Sequence, residues 1–273
     1  MAVLSLTSRM RTCIHLVGFC FGLLAMATPA HAVDVHGNDA QDTFTGVGGL
    51  VLSGSVDSGT RAAVANCGDC SWQASVPCDT PYGVAFIRCD SHVLGCVSGS
   101  VERRAWVRHG TGQWTDHGLF CVSSQGPVTV EQVGHSARDA FIQDLPRLQP
   151  TTGPRAGIVA QVPVLFDSGQ QGGHVIGNYV VLGQRIRLMA TPRWTWDFGD
   201  GARLATGAAG SRWPDRAVSH IYRRGGEHLA TVQAIWRASF TVDGLGPFGV
   251  PEEVVQEAAV PVRVGEARAW VVP

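Results

Sequence analysis

Gln184 to Ala190 (QRIRLMA) alternates polar and apolar positions, the period-2 pattern of a half-buried strand. Short runs rich in Val, Ile, Leu and aromatics recur around it: Ile158 to Phe166, Tyr179 to Leu182, Ile186 to Ala190, Leu229 to Trp236, Ser239 to Val242 and Val260 to Val264. Gly and Pro turns separate them, and such a series predicts an antiparallel β-sandwich. Upstream the pattern is sparser. Gly83 to Arg88 and Ala105 to His109 are short strand candidates, and a polar, Gly-rich start ends in a candidate strand at Leu50 to Ser55. Helical spacing shows best over 136–144, where Ala140, Phe141 and Leu145 share one face and Pro146 stops the run. Leu148 to Gly157 has two Pro, two Gly and almost no apolar content, so it reads as a linker.

The strongest apolar run is an exception to this texture. Cys13 to Ala27 (CIHLVGFCFGLLAMA) follows Arg9 and Arg11 and precedes Ala30-His31-Ala32, which reads as a small-x-small cleavage site. That is the layout of a signal peptide. The run is shorter than the ~20 residues needed to cross a bilayer. Phe19 before Cys20 is too bulky for lipoprotein processing. The expected organisation is then a signal peptide over 1–32, a flexible segment over 33–59, a Cys-rich region over 60–147, a linker over 148–157 and a sandwich over 158–273. After cleavage near Ala32 the chain is expected to be secreted or extracytoplasmic, with no membrane span.

The cysteines agree with export. Of eight, Cys13 and Cys20 leave with the leader. The six that remain are Cys67, Cys70, Cys78, Cys89, Cys96 and Cys121, an even, clustered set that reads as three disulfides with connectivity left open. Two sharper readings rank below it. Cys67-Gly-Asp-Cys70 has thiol–disulfide exchange spacing but no βαβ pattern around it. The same pair with Cys89 and Cys96, or with His92, has a second spacing too loose for a structural zinc site.

Charge excludes more than it indicates. The net charge is -1, all 21 basic residues are Arg, and Lys is absent. The balance does not suit a nucleic-acid binder, and without Lys there is no Schiff-base or P-loop lysine chemistry.

One motif carries family information. Trp194-x-Trp196-Asp197-Phe198-Gly199-Asp200-Gly201, followed by His220-x-Tyr222-x3-Gly226, resembles the PKD (polycystic-kidney-disease) domain, over about 175–265. Trp196 and Phe198 are two apart on a strand and so point to one face. Asp200-Gly201 is a strong turn dipeptide. Tyr222 is expected to bury its ring and bond its hydroxyl to backbone. Leu229 to Trp236 would be a central strand. Three departures stand out: His228 replaces the usual second Tyr, Ala202 to Ser219 is longer than the family pattern, and Asp243 to Val255 reads as a long hairpin loop. The resemblance implies an all-β, immunoglobulin-like sandwich at the C-terminus, beside a smaller disulfide-rich region, as in secreted bacterial proteins. It also implies a spacer or contact module with no catalytic residues of its own.

The remaining chemistry is modest. No G-x-S-x-G, H-E-x-x-H or strand-borne G-x-G-x-x-G occurs, and His92, His109, His117 and His135 are dispersed. Asp197 and Asp200 read as turn residues rather than calcium ligands, since no D-x-D-x-D spacing surrounds them. No cofactor or metal is expected. Trp213, flanked by Arg212 and Arg216 in the long loop, is a candidate contact anchor, because Trp and Arg dominate interface hot spots. Trp114 in GTGQWTD is a second candidate, with burial the commoner fate of a Trp. The expectation is a non-enzymatic, exported binding or structural module that contacts a protein or polysaccharide at the cell exterior. The alternative is a secreted hydrolase with its site in the Cys-rich region.

Overall fold

The computed structural model describes residues 36–38, 42–52, 56–87, 94–173 and 175–266. The expected leader with its Cys13, Cys20 and cleavage site, and also Arg88, Cys89 and His92, lie outside the described residues.

The N-terminal sheet is antiparallel, with strands ordered as in the chain. They are β1 (His36–Asn38), β2 (Thr43–Val47), β3 (Cys70–Ser75), β4 (Ser100–His109) and β5 (Thr115–Ser123). Helix α1 (Ser58–Ala65) precedes β3, with Asp57 as N-cap accepting from the Thr60 N–H. Leu50, Leu52, Val64, Trp72, Phe120 and Val122 form the core of this sheet. Helix α2 (Val130–Asp144) opens on a capping box: Thr129 accepts from Gln132 N–H, and the Gln132 side chain accepts from Thr129 N–H.

The C-terminal half adds β6 (Thr151–Gly153), β7 (Ile158–Val159), β8 (Pro163–Asp167), β9 (Val175–Val181) and β10 (Gln184–Asp197). It continues through β11 (Arg203–Thr206), β12 (Ser219–Ile221), β13 (Gly226–Val242), β14 (Leu245–Gly249) and β15 (Val254–Gly265). Seven strands make the large sheet, in the order β11-β10-β13-β15-β7, with β9 also pairing β10 and β14 also pairing β13. The small sheet runs β12-β8-β6. The fold is therefore mostly β, an immunoglobulin-like sandwich preceded by a disulfide-bearing sheet.

One face of the large sheet organises the core. Along β10 every even position from Ile186 to Trp196 is buried, while Arg185, Arg187, Met189, Thr191 and Arg193 are exposed. Two different covers lie on the buried face. Phe166 of β8 packs on Trp196 and Phe198, at ring separations of 5.4 Å and 5.0 Å. Phe141 of α2 meets Trp236 edge-on at 5.8 Å, and Trp236 meets Trp194 at 6.2 Å. Val133, Ala137, Phe141 and Leu145 of the helical segment thus belong to the sandwich core. The described residues between His36 and Glu266 cluster as one compact unit.

Several expectations need correction. The stretch expected to link two regions, 148–157, contains β6, whose pairing with β8 satisfies backbone groups that a linker would leave to water. The start expected to be flexible contains β2, which pairs β3, while Leu50 makes only an isolated bridge to Thr129. Residues 83–87 form no strand, and the Tyr82 and Phe86 side chains are fully exposed. The helix begins six residues before the predicted start, at Val130, since its cap is Thr129. Leu229 to Trp236 and Ser239 to Val242 are parts of one strand, β13. Residues 243–255 are not one long loop. Asp243-Gly244, both at positive φ, close a two-residue hairpin from β13 into β14.

Two stability predictions follow from these contacts. Trp236→Ala, which empties the junction of α2 and the large sheet, is expected to cost about 3–5 kcal/mol in denaturant unfolding. Tyr222→Phe removes a buried hydroxyl whose partner is the Phe198 carbonyl, and is expected to cost about 1–2 kcal/mol in the same assay.

Candidate functional site

The turn after β10 is held by side chains as much as by backbone. Asp197 accepts from Gly199 N–H at 3.0 Å and from Arg203 Nε at 2.8 Å. Asp200 accepts from Ala202 N–H at 3.1 Å and from His220 Nε2 at 2.7 Å. The carboxylate oxygens of both are therefore used inside the turn, as Asx-type turns require. Gly199 sits at φ +80°, and a Cβ there would stand 2.7 Å from the Leu229 carbonyl oxygen, so the chain passes only as glycine. The His220 ring stacks on Phe198 at 4.3 Å and meets Tyr222 edge-on at 4.7 Å. Tyr222 donates from its hydroxyl to the Phe198 carbonyl at 2.9 Å, as its place in the motif predicts. His228 stacks on the other side of Tyr222 at 4.5 Å, so the departure from Tyr keeps an aromatic ring in place.

Electrostatics follow this geometry. The Gly199 hydrogen bond, with Arg203, holds the Asp197 carboxyl below its ordinary range. Partial burial pushes the Asp200 carboxyl up, but the hydrogen bonds from His220 and Ala202 more than reverse that and leave it lowered. Burial, reinforced by the Asp200 charge, keeps the Tyr222 phenol protonated.

A cleft of about 740 Å³ opens on the outer side of the small sheet. Its walls come from β6 with Pro154 and Arg155, from Val162 and the outward-facing Pro163, Leu165 and Asp167 of β8, and from the loop carrying Ser211, Arg212, Trp213 and Arg216. Trp213 is 73% exposed. The Arg216 guanidinium lies over its ring, 5.2 Å from the centroid, in cation–π range. Arg212 donates from Nε to Asp167 at 2.6 Å, tying the loop to β8. Ser211 anchors the same loop from within, accepting from Val218 N–H at 2.6 Å.

A family model described as PKD domain matches residues 172–239. This segment is a PKD domain. No curated protein matches the chain. The match spans β9 through most of β13 and contains the whole turn motif, the Trp213 loop and Tyr222. A PKD domain is a non-catalytic, immunoglobulin-like module of extracellular type. Among the described residues no helix is long and apolar enough to cross a membrane.

The structure brings together three of the four candidate contact residues, Arg212, Trp213 and Arg216, in the cleft of the small sheet. Trp114 does not line it. It sits half-buried by the β4–β5 turn, under the Arg108 guanidinium at 4.4 Å. Sequence reasoning missed Arg155 and Asp167. Arg155 lay in a stretch read as linker, and Asp167 becomes a partner of Arg212 only through sheet pairing.

In the N-terminal sheet Cys67 is bonded to Cys70, Cys96 to Cys121, and Cys78 is also disulfide-bonded. Cys96 is thereby committed to Cys121, not to a zinc set with Cys67 and Cys70. One group of four donors does converge: the ligand atoms of Cys67, Asp69, Cys70 and His109 lie within 4.8 Å of one another. With its sulfurs joined this set offers no thiolate to a metal. His117 is half-buried nearby on β5, and burial pushes its pKa down.

Asp200 yields a pH prediction. Its folded pKa is below the ordinary carboxylate value of the unfolded chain, so its contribution is complete above that ordinary value and is lost as pH falls through the folded pKa. Asp200→Asn is expected to lower stability at pH 7 by about 1–2 kcal/mol and to flatten the loss of stability below about pH 4. Thermal unfolding followed from pH 7 down to pH 2 checks both.

Proposed function

We propose that this chain is an exported, non-catalytic binding module that contacts a partner at the cell exterior through the cleft beside Trp213. The carrying observation is the exposed Trp213 at the lip of a concave surface that also presents Arg155, Arg212 and Arg216. A rigid indole face offers apolar area to a flat sugar ring or side chain. Guanidinium groups bind carboxylates and sulfates through paired N–H donors. A volume of about 740 Å³ suits a short segment of a polymer rather than a single ion. Of the two partner classes, protein and polysaccharide, this combination best fits an acidic polysaccharide.

Export rests on the leader-like segment, and the disulfides and the PKD domain fit an extracytoplasmic setting. No membrane span and no nucleic-acid contact is part of this reading. The disulfide-bearing sheet and α2 support the sandwich rather than carry the contact.

Binding of the full, oxidised chain to an acidic and a matched neutral polysaccharide, measured by calorimetry, tests the reading. Trp213→Ala is expected to weaken binding to the acidic polymer at least tenfold, and Arg216→Ala by less. Capture of an acidic protein but no polysaccharide would move the partner class. Affinity that survives Trp213→Ala would move the contact away from this cleft.

A further inference from the structure

We propose that the Cys67–Cys70 disulfide is a thiol–disulfide exchange site, with His109 as its proton-transfer residue. Nothing in the binding reading uses this pair. Cys67 follows the C-cap of α1 and Cys70 is the first residue of β3, so the bond closes a tight loop at the junction of helix and sheet. Strand register places His109, the last residue of β4, directly opposite Cys70. The His109 Nδ1 lies 3.4 Å from the Cys67 sulfur and 3.6 Å from the Cys70 sulfur. The Asp69 carboxylate lies 3.5 Å from the Cys67 sulfur and 3.9 Å from the same Nδ1.

A purely structural role explains this arrangement poorly. The stabilisation from a crosslink grows with the length of chain it closes. Cys67 and Cys70 are separated by 3 positions, against 25 for Cys96 and Cys121, so the second bond restrains the unfolded chain far more. Both cysteines are buried at the edge of the N-terminal core, but one side of the bond is open. The His109 and Asp69 side chains are 79% and 85% exposed, and the space above Gly68 is empty. A buried structural bridge has no need of an exposed imidazole touching both sulfurs.

The exchange balances with a dithiol partner. A partner thiolate attacks Sγ of Cys67, which at 7% exposure is more accessible than Cys70 at 1%. A mixed disulfide forms, the Cys67–Cys70 bond breaks, and its electron pair leaves on Cys70 Sγ. His109 delivers a proton to that sulfur. The partner's second thiol gives its proton to the His109 imidazole and attacks the partner sulfur of the mixed disulfide as a thiolate, and the departing Cys67 thiolate takes up a proton to end as a thiol. The partner is oxidised by two electrons to a disulfide. Cys67 and Cys70 are reduced to two thiols, which carry the two protons the partner gave up.

The test mixes the oxidised full chain with a short peptide bearing two thiols, quenches with an alkylating reagent and maps the cysteines by mass spectrometry. The expected result is alkylation of Cys67 and Cys70 while Cys96 and Cys121 remain joined, with one peptide disulfide formed per chain. His109→Gln, at an exposed position, is expected to slow the reaction roughly tenfold, and its melting curve checks that the fold is kept. Opening of Cys96–Cys121 first or alongside, failure of the peptide to gain a disulfide, or an unchanged rate in the folded His109→Gln chain would each overturn the proposal.

Discussion

The pairing of β13 with β10, continuous from Ile186–Val242 to Asp197–Thr231, sets what the rest of the molecule must supply. A sheet this long presents an apolar face longer than one small sheet can cover. The β12-β8-β6 sheet packs over the Trp196 and Phe198 end. The Trp236 and Phe240 end is covered from outside the PKD domain, by Phe141 and Gly134 of α2, the latter close against Phe240 and Pro251. Uncovered, Trp236, Phe240 and Leu188 would leave a large apolar surface in water, at a cost of about 1.5–3 kcal/mol for each side chain. This is the physical reason that the helix preceding β6 belongs to the sandwich core although the sequence pattern divides the chain before the sandwich.

The turn between β10 and β11 solves a different problem. The backbone there turns sharply beside a run of rings, and its polar groups find their partners within the turn. Tyr222 satisfies the Phe198 carbonyl, His220 satisfies Asp200, and Asp197 satisfies the Gly199 N–H. The rings of Phe198, His220, Tyr222 and His228 then meet in series, stacked at either end and edge-on between His220 and Tyr222. This explains how His can stand at position 228. The position requires a flat ring against Tyr222 more than it requires a phenol.

Legibility in the sequence tracked the range of the interactions involved. Period-2 alternation in β10 and the W-D-F-G-D-G turn are local, and they placed the sandwich, the buried ring of Tyr222 and its hydroxyl bond to backbone. The exposed Trp213 with its two arginines was also visible as a cluster in one loop. The rest depends on residues far apart in the chain. Val33 to Gly49 is too polar and glycine-rich to signal β2, whose edge is supplied by β3. Residues 148–157 read as linker because Thr151 to Gly153 gains its hydrogen bonds only when β8 lies beside it. Arg155 and Asp167 join Trp213 for the same reason. His109 looked dispersed because its meeting with Cys70 is set by strand register across 39 residues of chain.

The two surfaces proposed to meet partners are anchored to the packing that holds the fold. Trp213 projects from a loop whose inner anchors are Ser211 and Val218, both buried, so the indole can be offered to solvent while the loop root stays fixed. Arg216 covers one face of that indole and Arg212 is tied to Asp167, which leaves the ring oriented before any ligand arrives. A side chain already held in place loses less conformational freedom on binding. The N-terminal sheet is built differently: Cys67 and Cys70 belong to its core with Trp72 and Phe120, and it is the Asp69 and His109 side chains beside them that face solvent, at the end of the β3–β4 pairing. Chemistry at either place can therefore change without reworking the Trp194, Trp196 and Trp236 cluster on which folding depends.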